Sequence, residues 1–305
     1  MPHFRSSAAP TAGTRSRTSV RRLFFLLGPA LGIILLLFGG GLLLGLLQAL
    51  GHVPSQALST ISCDHFLHVL HDADFGKSLL LTLYIAITST LIAACISIML
   101  ALALIRSAAD SRAINFLLQI PLTVPHLVIA LSVILLLTPS GLFSRFLSSL
   151  SIISTQADFP LLVNDGWGIG ILFVYIWKEV PFITFMLLAV LKNMGPELLE
   201  AGSTLNASRR QRFFYIILPI ISPSLGAACL IVFAFTFGAF EVPYLLGRTY
   251  PLALPVWAYK NYSDIDLLAR PEGIAIGLII AAIVILAIII SQLLLHFGRK
   301  RGLTV

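Results

Sequence analysis

Six apolar runs, each long enough to cross a bilayer, divide the chain into spans and connecting loops. They are Leu23 to Gln48, Leu79 to Ile105, Ile114 to Leu137, Trp167 to Leu191, Phe213 to Phe240 and Gly273 to Phe297. A backbone in lipid must satisfy its own polar groups, so about 20 consecutive apolar residues predict a spanning helix. The pattern therefore predicts an all-α polytopic membrane protein. Pro121, Pro125, Pro219 and Pro223 lie near the start of the third and fifth runs, which predicts kinked first turns or a break before them. The first run follows Arg21 and Arg22 and holds about 25 apolar residues. It is too long for the 7–15-residue core of a signal peptide and reads as an uncleaved anchor.

Between the spans the pattern changes. Met1 to Val20 is rich in Ser, Thr, Ala and Arg with no acidic residue, a composition that reads as a disordered tail and also has the character of a transit peptide. In the second outer loop, Gly141 to Ser154 places Leu142, Phe143, Phe146, Leu147 and Leu150 at helical spacing, which predicts a short helix on the membrane surface. The third outer loop concentrates Pro and aromatic residues, among them Tyr244, Tyr250, Trp257, Tyr259 and Tyr262, as an interfacial aromatic belt does.

Composition agrees with the pattern. Of 305 residues, 58% are hydrophobic and 11% charged, against roughly 25% charged in soluble domains. The net charge of +7 does not imply a nucleic-acid partner, because the basic residues fall in short clusters beside apolar runs. With the N-terminus inside, 14 of the 20 Lys and Arg residues lie on the cytoplasmic side, five lie outside, and Lys178 falls within a span. That bias predicts cytoplasmic N- and C-termini. Cys63, Cys95 and Cys229 match no metal spacing and predict neither a disulfide framework nor redox chemistry.

The most informative stretch is the cytoplasmic loop "PELLEAGSTLNASRRQRFFYIILPIISPSL". Pro196 to Leu205 reads as a short helix opened by Pro, with Leu198, Leu199 and Leu205 forming apolar surface outside lipid. Asn206 tolerates positive φ and suits a sharp reversal into "ASRRQRFF". A helix-turn-helix with an apolar anchor and charged rim is a docking element. The loop resembles the coupling motif of ABC importer permeases, Glu-Ala-Ala, three residues, Gly, then about nine residues to Leu-Pro. Glu200 and Ala201 match its opening, Ala207, Ser208, Gln211 and Phe213 its middle, and Leu218, Pro219 and Pro223 its end. Gly202 stands for the second Ala and Asn206 for the hallmark Gly.

A second segment, Phe237 to Ile280, resembles permeases of the polyamine, opine, ferric-ion and phosphonate group. The positions are Tyr250, Pro251, Leu254, Pro255, Ala258, Tyr259, Asp266, Leu267 and Arg270 to Glu272. The resemblance covers about Phe75 to Phe297 and implies a type I ABC importer permease fold, with a core over 75–298 holding five spans and a coupling loop at about 196–212; composition and hydropathy add a tail over 1–20, a first span over 21–50 and a tail over 299–305. It also implies a bacterial inner-membrane location, a second and paralogous permease chain, two ATPase subunits and an external solute-binding protein. The coupling contacts would come from Glu197, Glu200, Ala201, Gly202, Leu205, Asn206, Ala207, Ser208, Gln211, Leu218 and Pro219. The chain would be non-catalytic. It has no GxxxxGK[ST] loop, so ATP and Mg would be held by the ATPase partners and no cofactor by this chain.

Four residues are candidates for the substrate path. Lys178 and Glu179 sit in the middle of the fourth span, where a charge costs about 2.5–3.5 kcal/mol and must face protein or water. Glu241 stands at the outer end of the fifth span and Tyr244 just beyond it. Each has a structural alternative: bonding to a neighbouring helix for Lys178 and Glu179, a solvated helix end for Glu241, and the aromatic belt for Tyr244. His126, beside Pro125, reads as a packed or capping histidine. The carboxylates suit a cationic solute and Lys178 an anionic one. A lone secondary transporter would need coupling-ion carboxylates in broken spans, and only Glu179 qualifies. A membrane hydrolase would need a nucleophile and base signature, which is absent from the sequence.

Overall fold

The computed structural model describes residues 15–52, 61–106, 112–194 and 207–300. All regular structure among the described residues is helical. The chain divides into two units, Met1–Cys63 and Asp64–Val305.

In the first unit, α1 (Arg15–Ile34) passes through a π-helical turn, Leu35–Gly39, into α2 (Gly40–Ala49). The helix begins at Arg15, inside the expected tail, because Arg15 to Leu27 contains no Gly or Pro to break it. Phe25, Leu36 and Phe38 are exposed, as befits a helix solvated by hydrocarbon.

In the second unit, α3 (Asp64–His71) precedes the long α4 (Phe75–Arg106). The short α3 lies ahead of the expected core at 75–298, yet it packs on α13 (Arg270–Lys300), burying Val69 and pairing His68 with Glu272 at 3.0 Å. The buried side of α4 carries Ser78, Thr82, Ala86, Ser89, Ala93, Ser97 and Ala101. Residues this small let α8 (Ile169–Asn193) approach closely, and its contact with α4 is the most extensive in the bundle. Ser97 Oγ donates across that seam to the Val180 carbonyl at 2.8 Å.

The expected third span, Ile114 to Leu137, is a correction. It is two helices, α5 (Arg112–Thr123) and α6 (His126–Leu137), broken in the middle of the run and not at its start. Pro121 is accommodated within α5. The break falls at Pro125, which has no N–H to return to the Pro121 carbonyl and disfavours helical geometry at Val124. After α6 comes a short helix where one was expected, α7 (Leu142–Ser149), with Leu142, Phe143 and Phe146 exposed; the third span-length apolar segment, His126–Ser149, includes it.

The fifth span starts at α9 (Arg209–Arg212), continues through a π-helical turn, Phe213–Ile217, and ends as α10 (Leu218–Gly238). Two short helices, α11 (Glu241–Leu246) and α12 (Leu254–Tyr262), fold the third loop back onto the bundle. Thr82 Oγ1 accepts from the Leu254 amide at 2.9 Å, fixing the start of α12 on α4. Among the described residues, six helical segments have the length and apolarity of membrane spans.

Of the glycines with small-xxx-small spacing, Gly273 marks a close crossing. A Cβ there would lie 2.7 Å from both the Ala258 carbonyl oxygen and the Tyr262 nitrogen of α12. Gly28, Gly32, Gly41 and Gly277 have open space at the same position.

Candidate functional site

Adjacent residues on a helix point about 100° apart, so Lys178 and Glu179 reach different neighbours. Lys178 Nζ donates to the Val124 carbonyl at 2.5 Å. That oxygen is accessible because of the break in the third span. Its normal helical partner, the Val128 amide, bonds the Pro125 carbonyl at 3.1 Å instead. The ammonium thus sits at the carbonyl end of α5, where the helix dipole favours a cation.

Glu179 turns toward α4 and α10. Its Oε1 accepts from Thr236 Oγ1 at 2.7 Å and from Ser89 Oγ at 3.4 Å. Its Oε2 is buried without a protein partner. One turn earlier on α8, Tyr175 is fully buried and its hydroxyl is also unpartnered. Tyr175 and Glu179 of α8, Thr236 of α10 and Ser89 of α4 therefore form a column of buried polar side chains where the three helices meet. A buried polar atom without a bond is costly, so such atoms mark places where a solute, water or altered conformation supplies one.

Above this column lies a cavity of about 370 Å³. Its walls include Pro125 and His126 at the break, Tyr175, Phe235, and the stretch from Gly238 to Val242 that joins α10 to α11. The ring of His126 lies 4.8 Å from that of Phe235 and 6.3 Å from that of Tyr175. Phe240 carries the aromatic surface outward, stacking on Tyr259 at 4.8 Å, while Tyr244 meets Tyr259 edge-on at 5.6 Å.

Of the four substrate-path candidates, Glu241 lines the cavity and Tyr244 joins the aromatic cluster continuous with it. Lys178 and Glu179 do not line it; they take up bonds to α5, α4 and α10. Sequence reasoning passed over Tyr175 and Thr236. Their signals were a tyrosine four residues before Glu179 and a single hydroxyl within "IVFAFTFGAF".

Asp74, Lys77 and Tyr250 tie the third loop to the start of α4. Tyr250 Oη donates to Asp74 at 2.6 Å, and Lys77 Nζ reaches Tyr250 Oη at 2.5 Å and Asp74 at 3.1 Å. The Tyr250 hydroxyl, and after it Lys77, hold the Asp74 carboxyl below its usual 3.8. Asp165 opens α8 by accepting from the Trp167 and Ile169 amides, both at 2.9 Å, around Gly168 at φ +66°. Asp266, a position within the second resemblance, accepts from the Leu268 amide at 2.9 Å.

Glu197, Glu200, Ala201, Gly202, Leu205 and Asn206 of the expected coupling loop lie outside the described residues, as does the expected reversal at Asn206. Ala207, Ser208, Gln211, Leu218 and Pro219 are described. Ser208 and Gln211 form a reciprocal capping box: Ser208 Oγ accepts from the Gln211 amide at 3.3 Å, and Gln211 Oε1 accepts from the Ser208 amide at 2.8 Å. The Ser-x-x-Gln spacing is the sequence signature of such a cap, and it fixes where the fifth span begins. Pro219 lies just beyond the π-helical turn Phe213–Ile217, inside the continuous fifth span.

The family described as "Binding-protein-dependent transport system inner membrane component" matches residues 93–301. The inner membrane ABC transporter permease protein YdcU of Escherichia coli K12 is 28% identical over 247 residues, covering 73% of this chain and 78% of that protein. The sulfate transport system permease protein CysT of Salmonella typhimurium LT2 is 27% identical over 245 residues, covering 80% and 85%. Among solved structures, a chain of the bacterial alginate ABC transporter in complex with alginate pentasaccharide-bound periplasmic protein aligns with a TM-score of 0.72. It is 22% identical and covers 95% of this chain and 99% of that one.

Proposed function

This chain belongs to the inner-membrane components of binding-protein-dependent transport systems, the permeases of ABC importers, and from that premise we propose how it works. With a second, paralogous permease chain it forms the pathway for a small polar solute of the polyamine, opine, phosphonate or metal-ion class. An external binding protein delivers the solute, and two ATPase subunits carrying ATP and Mg drive its passage. The chain itself is non-catalytic and holds no cofactor. Both termini face the cytoplasm, in keeping with the excess of Lys and Arg on that side.

The observation that carries this reading is the extent of the family match. Residues 93–301 take in the 196–212 loop together with α8 and α10, the two helices that build the polar column. Closure of the ATPase dimer on ATP moves the loop. The capped start at Ser208 passes that movement into α10, which shares Thr236 with Glu179 of α8. A rigid helix anchored at both ends is a suitable lever. The family is described as binding-protein-dependent and the alginate transporter was solved with a periplasmic protein, which supports external delivery; CysT bears the name of a sulfate system, so the relatives do not fix the solute.

Replacing Glu200 and Ala201 with Lys and Trp tests the loop assignment. In vesicles reconstituted with the partner subunits, ATP hydrolysis is expected to continue while solute uptake is lost, with membrane insertion intact. Unchanged coupling between hydrolysis and uptake would refute the assignment.

A further inference from the structure

The cavity above Tyr175 has a chemical character that selects among solute classes. Glu241 supplies the one formal charge on its walls, because Lys178 is committed to the Val124 carbonyl and does not line it. His126, Tyr175 and Glu241 are the wall residues whose side chains carry polar atoms; the others are Phe, Pro, Val, Ala and Gly. Phe235, Tyr175 and Phe240 make three of its walls aromatic, and Phe240 continues into the cluster of Tyr244 and Tyr259. An aromatic face and a carboxylate both attract a cation and repel an anion. A neutral sugar needs many fixed donors and acceptors, which these walls do not supply.

A second observation points the same way. Two unpartnered oxygens lie on one face of α8, one turn apart: Glu179 Oε2, an acceptor, and the Tyr175 hydroxyl, which can accept as well as donate. Tyr175 is 0% exposed and Glu179 5%, and neither atom has a protein partner. A protonated amine carries three N–H donors with no acceptor, which is the complement of a carboxylate and unpartnered oxygens.

From this geometry we propose that the cavity takes a protonated aliphatic amine, held at Glu241 against the aromatic walls, with Glu179 as a second carboxylate one step further along the path. The inference rests on the permease reading, which gives the cavity access from outside. Tyr175 separates the two carboxylates, so passage from Glu241 to Glu179 requires its ring to move. Glu241 and Phe240 then determine which solute enters, and Glu179 receives it after the bundle switches.

The test uses the full chain in lipid nanodiscs and ligand-observed saturation-transfer NMR. The probes are 1,4-diaminobutane, tetramethylammonium, sulfate and maltose. Saturation transfer to 1,4-diaminobutane, competed by tetramethylammonium, is expected, with none to sulfate or maltose. E241Q should weaken diamine binding by roughly tenfold or more, as loss of a charged hydrogen-bond partner does. E241D should retain it, which separates loss of charge from misfolding; F240L should weaken it, and D264N, an outer-loop carboxylate away from the cavity, should leave it unchanged. Wild-type affinity in E241Q, or binding of sulfate or maltose in place of the diamine, would overturn the assignment. ATPase recovery with the same tagged chain is scored separately. Recovery of the ATPase without diamine binding overturns the amine assignment and leaves the permease reading standing. Diamine binding that depends on Glu241, without ATPase recovery, supports the cavity assignment and counts against the permease reading.

Discussion

Thr236→Val isolates the bond that joins α10 to the buried carboxyl of α8. The substitution exchanges a hydroxyl for a methyl of similar volume, so its cost is that of the hydrogen bond and not of a cavity. Interhelical hydrogen bonds within membranes average about 0.6 kcal/mol and reach about 1.7. The Thr236 bond belongs at the upper end, because it is short at 2.7 Å, its acceptor is a buried carboxyl, and the other Glu179 oxygen is already unpartnered. A loss of about 1–2 kcal/mol is expected. Ser89→Ala removes a donor at 3.4 Å and gains helix propensity, so its net effect should lie within about 0.5 kcal/mol of zero. Reversible unfolding in mixed SDS micelles, followed by fluorescence of the three tryptophans, measures both. In an E179L background the T236V cost should fall below about 0.5 kcal/mol, since the partner is gone. A Ser89→Ala cost equal to that of Thr236→Val, or a T236V cost undiminished beside Leu at 179, would refute the reasoning.

Two further outcomes follow from the geometry. Gly273→Ala drives a methyl into the α12 backbone and should destabilise by about 1–3 kcal/mol, whereas Gly277→Ala, one turn on and facing open space, should be neutral or gain up to about 1 kcal/mol of helix propensity; the same SDS titration reads both. Asp74 titrates below its usual 3.8, so its contribution is complete above that value and is lost as pH falls through the lower folded pKa. The link between the third loop and α4 should therefore hold at neutral pH and release only below about pH 3.8; Tyr250→Phe should raise the Asp74 midpoint, read by carbon NMR of a labelled carboxyl.

The spans were legible because lipid solvates them, and an apolar run of sufficient length has few alternatives to a helix. The break in the third span was less so. Pro121 and Pro125 send the same local signal, and what separates them is the tertiary setting: the freed Val124 carbonyl receives Lys178 from 54 residues away. Lys178 and Glu179 stood out in the sequence as charges in a span, but the identity of their partners did not. Thr236 and Ser89 lie 57 and 90 residues from Glu179, and nothing local in "FTF" or "TST" announces a bond to it. The cavity assembles from the break at Pro125, one face of α8 and the α10–α11 junction, so no single stretch of sequence contains it. Ser208 and Gln211 are the opposite case, a cap written in four consecutive residues.

If this chain works as one part of an ATP-driven importer, its partners should come with it. The tagged chain is extracted in mild detergent, captured, and the proteins that accompany it are identified by mass spectrometry. An ATPase bearing a phosphate loop is expected together with a second permease chain. A chain recovered alone that is stable and carries solute by itself in proteoliposomes would contradict the importer reading.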